Sequence, residues 1–141
     1  MLQKQTNCYL VKITQRLLEH NLYKIFAIFW TLLIVYLCLD DAPNVPKFAF
    51  QYKDKVVHFI FYFVFVFVWT KSLKNKSLKS VLIVLFLAIL FGVLIEFLQE
   101  NITLNRTFDW FDILANAIGA ITGFIYIKKF YAIKNEFKIS L

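Results

Sequence analysis

Glu96-Phe97-Leu98-Gln99, followed by Arg106-Thr107-Phe108-Asp109-Trp110-Phe111-Asp112-Ile113-Leu114-Ala115-Asn116-Ala117-Ile118-Gly119, sets ionisable and amide side chains between and inside two segments apolar enough to sit in lipid. Ionisable groups at membrane depth cost roughly 2.5–3.5 kcal/mol each even on the mildest insertion scale. Their accumulation at one place implies either a compensating arrangement or a use.

The rest of the chain supports the lipid setting. With 60% hydrophobic residues, only 18% charged residues and a mean hydropathy of +0.65 over 141 residues, it is too apolar for an ordinary soluble domain of this length. Four apolar runs carry the reading: Leu22–Leu39, Val56–Thr70 (extendable from Asp54 to Leu73), Val81–Leu98 and Trp110–Phe130. Each is near the ~20 residues that cross a bilayer core as helix. The second run, Phe61-Tyr62-Phe63-Val64-Phe65-Val66-Phe67-Val68, has strand propensity by itself. A lone strand would leave its backbone groups unpaired in lipid, so helix is expected there too. The expected fold is all-α: one membrane domain of four helices over 22–130, with a segment at 1–21 before it and a tail at 131–141 after it. Basic residues ahead of the first run suggest a secretory signal, but no small-residue cleavage site follows, and Val35-Tyr36-Leu37 before Cys38 is too bulky for lipoprotein processing. An uncleaved first helix is expected.

Cys8 and Cys38 have no His or Cys partners at metal spacing, so neither a disulfide nor a metal site is expected. There is no glycine-rich phosphate loop, nucleophile elbow or CxxC pair, and no cofactor is expected.

The lysines and arginines behind the net charge of +7 are segregated: Lys4, Lys12, Arg16 and Lys24 precede the first helix, Lys71, Lys74, Lys76 and Lys79 lie in the second connection, and Lys128, Lys129, Lys134 and Lys138 follow the fourth helix. The positive-inside rule makes these segments cytoplasmic, with both termini inside, and gives the basic residues a role that needs no nucleic acid. Asp54, Lys55 and His58 then start the second helix from outside, Glu96 and Gln99 end the third, and Arg106, Asp109 and Asp112 lead into the fourth. All converge on one outer-leaflet surface.

Helical spacing sharpens this. Asp54, His58 and Tyr62 are i, i+4 neighbours, while Ala88, Gly92, Glu96 and Gln99 form a stripe that turns from small to polar; Asp112, Asn116, Gly119 and Gly123 form another. Ala88-xxx-Gly92 and Gly119-xxx-Gly123 allow close backbone approach, so the bundle is expected to be tight below and polar above.

Glu96 reads as a binding or catalytic carboxylate, or as a lock accepting hydrogen bonds from His58, Gln99 or Arg106. Asp109 and Asp112 fall where carboxylates cap a helix start, which explains one of them. Arg106 is the only arginine besides Arg16, and its fork suits a phosphate, or a bridge to Glu96 or Asp109. His58 beside Asp54 reads as a proton carrier or a metal ligand, but it is a single histidine, with His20 on the cytoplasmic side, so hydrogen bonding at the start of its helix is the expected role. Trp30, Trp69 and Trp110 read as lipid-facing surface and interfacial anchors.

Asp54-Lys55-xx-His58-Phe59, Glu96-xx-Gln99 and Arg106-Thr-Phe-Asp109-Trp-x-Asp112-xxx-Asn116-xx-Gly119-xxx-Gly123 together resemble the VanZ-like family of small bacterial membrane proteins, over roughly residues 25–127. The resemblance implies that Asp54, Lys55, His58, Glu96, Gln99, Arg106, Asp109, Asp112, Asn116 and Gly119 are the family's polar signature. It also implies residence in a bacterial cytoplasmic membrane. The family's namesake is associated with low-level teicoplanin resistance. Many relatives have Pro or Gly just before the arginine, where this chain has Leu104-Asn105, so the local turn departs from the pattern. A phosphotransbutyrylase label carried by some relatives finds no support, since that chemistry needs a coenzyme A site and a soluble fold. The expected function is binding or modification of an envelope component, such as the head group of a lipid-linked cell-wall precursor. Its rival is a non-enzymatic accessory protein in which the cluster is an interhelical lock.

Overall fold

The computed structural model describes the backbone of residues 2–40, 53–104 and 107–139, and the side chains of residues 14–15, 17–40, 54–104 and 107–131. The described chain is wholly helical, without strands: α1 (Leu2–Leu39), α2 (Lys53–Ser72), α3 (Leu78–Ile102) and α4 (Trp110–Ile139). All four contain stretches long and apolar enough to cross a membrane, at Leu17–Leu39, Asp54–Ser72, Leu78–Ile102 and Trp110–Tyr131. The Phe/Val-rich run of α2 is helical despite its strand propensity, because only a helix pairs every backbone group within the segment.

The distribution of side chains inverts that of a soluble bundle. On α3, Phe86, Leu87, Leu94 and Phe97 are exposed, whereas Ala88, Gly92, Glu96 and Gln99 are buried. Apolar bulk outside with small and polar groups inside is the arrangement that lipid solvates, because packing rather than hydrophobic burial joins the helices. The chain is a multi-pass membrane protein.

The helices run past their apolar segments: α1 begins at Leu2 rather than near Leu22, and α4 continues to Ile139, into the stretch read as a tail. No Pro or Gly precedes Pro43, and none follows Gly123, so nothing in the sequence stops the hydrogen-bond ladder where the apolar character ends. Where a stop is needed it is built. Ser77 caps α3 by accepting from the Ser80 N–H at 3.2 Å, and Asp109 Oδ1 caps α4 by accepting from the Phe111 N–H at 2.8 Å.

The central element is α2, which packs on α1, α3 and α4. Its contact with α4 is at backbone distance: a Cβ on Gly119 would lie 2.2 Å from the Phe59 carbonyl oxygen, and one on Gly123 would lie 2.8 Å from that of Phe63. Gly92 admits Asn116 and Tyr62 against α3, with the nearest atom 3.2 Å from an added Cβ. The α1–α2 contact is riveted by tryptophans. Trp30 Nε1 donates to the Phe61 carbonyl at 3.0 Å, and Trp69 Nε1 donates to Thr31 Oγ1 at 3.1 Å. Those two residues are therefore interhelical ties rather than the lipid-facing anchors expected; in lipid an indole N–H needs a partner, and the neighbouring helix supplies it. Trp110, 74% exposed, keeps an outward position.

Candidate functional site

Because α3 runs opposite to α2 and α4, the start of α2, the end of α3 and the start of α4 meet at one end of the bundle. There the polar side chains form two layers. The inner layer holds His58, Glu96 and Asn116, which are 3%, 0% and 1% exposed. His58 Nδ1 lies 3.0 Å from Asn116 Oδ1 and 3.7 Å from Glu96 Oε1, while His58 Nε2 lies 3.8 Å from the exposed Asp54 carboxylate. With the Asn116 oxygen accepting, Nδ1 carries the ring proton and Nε2 faces Asp54; this amide orientation and tautomer are assigned from the hydrogen-bond geometry. A second proton, on Nε2, would point at a carboxylate. The ring thus stands between an exposed acid and a buried one.

Among the described residues, Tyr62 Oη and Asn116 Nδ2 have no hydrogen-bond partner, and the Glu96 carboxylate has no side-chain partner closer than the His58 ring at 3.7 Å, with the Asp109 backbone N–H also turned toward it. Tyr62 is fully buried one turn below His58. The i, i+4 series Asp54, His58, Tyr62 pointed to it, yet it was absent from the expected site; its hydroxyl belongs to the inner layer. Buried polar groups are nearly always satisfied, so this concentration of unpartnered ones is unusual.

In the outer layer, Lys55 pairs with both Asp109 and Asp112, the latter at 2.5 Å, tying the first turn of α2 to the start of α4. The Lys55 ammonium, hydrogen-bonded to Asp109, holds that carboxyl below the ordinary aspartate range, and the Phe111 N–H acts in the same direction. Asp109 is therefore both cap and ion-pair partner, while the buried Asp112 contributes as a partner of Lys55.

Two expected members stand elsewhere. Gln99 does not turn to Glu96: its Nε2 donates to the Cys38 carbonyl at 2.8 Å, and its main-chain carbonyl accepts from Thr103 Oγ1 at 2.7 Å. A three-residue step rotates Gln99 about 60° from Glu96, enough to face the end of α1, where a last-turn carbonyl needs a donor. Arg106 lies outside the described residues, so its expected pairing has no geometry here.

Although no metal was expected from the spacing, Asp54, His58 and Asp112 bring ligand-type atoms within 4.8 Å of one another. Lys55 already neutralises Asp112, and a cation would have to compete with it. The described part of the cluster has four carboxylates, Asp54, Glu96, Asp109 and Asp112, against the single ammonium of Lys55. It is rich in acceptors and suited to a ligand that donates hydrogen bonds.

Compared with known proteins, residues 4–132 match the sequence model of the family described as VanZ/LLP1. An uncharacterized protein of Schizosaccharomyces pombe is 39% identical over 98 residues, covering 68% of this chain and 57% of that protein. The chain thus spans little more than half the length of this relative. No solved structure matches.

Proposed function

This chain belongs to the VanZ/LLP1 family, and from that premise we propose that its polar cluster binds the head group of an envelope lipid at the membrane surface. The observation that carries the reading is the set of buried, incompletely partnered polar groups beneath the Lys55 bridge: Tyr62 Oη and Asn116 Nδ2 without a partner, and a Glu96 carboxylate with no side-chain hydrogen bond. A lock that served only to join helices would satisfy its own groups, since a half-satisfied buried network is worse than an apolar contact. The excess of acceptors favours head groups that present hydroxyls or an amine. A relative in fission yeast favours a head group that bacterial and fungal membranes share; a lipid-linked cell-wall precursor is the bacterial form of the reading. In such a host, tolerance to an acylated glycopeptide is the expected phenotype. Residence in a cytoplasmic membrane with both termini inside is part of the same proposal, supported by the Lys-rich and Lys-poor alternation of the connections.

The outer layer favours a structural role alongside binding, because Lys55 satisfies two carboxylates of α4 at once. The test separates the two. Lipids retained by purified wild-type protein are compared by mass spectrometry with those retained by Glu96→Gln, and thermal stability is measured in parallel. Binding predicts that one lipid class is lost with melting nearly unchanged. A pure lock predicts no change in lipid and a clear loss of stability, because the His58 ring 3.7 Å away loses the carboxylate it faces.

A further inference from the structure

At the opposite end of the bundle, a cavity of about 560 Å³ opens among Lys71, Lys74, Lys76, Tyr23 and Tyr131. Its volume lies within the ~300–1,000 Å³ of ordinary ligand sites. Among the described residues, its lining includes Lys71, Lys74 and Lys76 beside Glu19 and His20. Along the α1–α2–α4 seam lies a second concavity of about 490 Å³ with an almost wholly apolar wall, lined by Phe26, Phe63, Val64, Phe67 and Tyr126 and sharing Tyr23 with the first. Lys71 stands where the two adjoin: its ammonium lies 4.2 Å from the Phe130 ring centroid, 5.4 Å from that of Tyr131 and 5.5 Å from that of Phe67. The cation is held by aromatic faces at the boundary between a basic chamber and an apolar groove.

We infer that this seam is a binding site for an anionic phospholipid, with the phosphate of its head group in the lysine chamber and one acyl chain in the aromatic groove. Charge complementarity fixes the head group, since basic recesses between membrane helices collect anionic heads. Continuity through Tyr23 fixes the chain: a free anion would use the chamber and have no use for the groove. Residues 63–71 of α2 flank both parts and rise about 12 Å, the length of several acyl methylenes. The site is independent of the His58–Glu96 cluster, because His58 and Lys71 lie about 20 Å apart along α2.

The test uses the purified full-length chain, dioleoylphosphatidylglycerol and dioleoylphosphatidylcholine as paired probes, inorganic phosphate as competitor, and native mass spectrometry as the readout. Phosphatidylglycerol should be retained about tenfold or more over phosphatidylcholine. Lys71→Gln with Lys74→Gln should abolish that preference, whereas Lys128→Gln with Lys129→Gln, which removes the same charge from exposed positions outside the cavity, should leave it intact. Val64→Phe, which fills the groove, should lower phosphatidylglycerol retention without touching a lysine. Equal retention of the two lipids, equal effects of the two lysine pairs, indifference to Val64→Phe, or displacement of the lipid by millimolar phosphate would each overturn the assignment.

Discussion

Gly119→Ala is the substitution to which this bundle should be most sensitive. The added methyl would sit 2.2 Å from the Phe59 carbonyl oxygen, 2.9 Å from its carbon and 3.0 Å from the Phe59 Cα. All three are backbone atoms of α2, so no rotamer change relieves the clash; α2 and α4 must separate by roughly 1 Å to reach ordinary contact at 3.4 Å. Overpacking of this kind costs typically ~1–3 kcal/mol. The same displacement carries Asn116, one turn away on α4, from its 3.0 Å contact with His58, next to Phe59, to about 4 Å, beyond hydrogen-bond range. Losing that bond adds about 0.5–1.5 kcal/mol. The sum, about 1.5–4.5 kcal/mol, corresponds to a roughly 12- to 1,600-fold loss in the folded ratio. Gly123→Ala, with 2.8 Å to the Phe63 oxygen, should cost less, and Gly92→Ala, with 3.2 Å to the Asn116 side chain, least. Thermal unfolding of the three purified variants in one detergent gives the order directly. A Gly119→Ala protein that melts with wild type, or above Gly92→Ala, would refute the backbone-contact argument.

Three further outcomes are expected. Reporter fusions after Ser72 should read cytoplasm and one after Asn101 exterior; the reverse would turn the Glu96–Asp112 end toward the cytoplasm and remove the outer-face part of the proposal. Asp109, whose folded carboxyl is held below its unfolded range, stabilises fully above that range and loses its contribution as pH falls through the folded value, so acid should depress the melting temperature of wild type more steeply than that of Asp109→Asn. Trp69→Phe and Thr31→Val should each lower stability by at least about 0.5–1.5 kcal/mol, and the double variant should lose less than the sum of the two, since the shared bond is lost only once; fully additive losses would mean that the 3.1 Å contact carries no energy.

The spans were legible because a run of some twenty apolar residues has few alternatives in lipid, and the grouping of His58, Glu96, Asp112 and Asn116 followed from alternating helix direction alone. The helix ends were not legible: the bilayer edge changes composition without breaking the backbone ladder, so α1 continues far beyond Leu22. Gln99 was misplaced because its partner, the Cys38 carbonyl, depends on where α1 stops relative to α3. Trp30 and Trp69 were misread because hydropathy does not say which side of α1 is covered by α2. Tyr62 was visible in the i, i+4 series but carries no charge to draw notice; only its complete burial reveals that its hydroxyl is part of the polar layer.

The length of α1 gives its two grips a mechanical meaning. Trp30 pins it to α2, and the Gln99 side chain holds the carbonyl of Cys38 near its end. From Trp30 the helix extends about 12 Å to Cys38 in one direction and about 42 Å to Leu2 in the other. The grips at Trp30, Thr31 and Cys38 all fall in the shorter of these two stretches, so the anchorage of α1 is concentrated in its final turns, and loosening it there would free the helix end that faces the polar layers first.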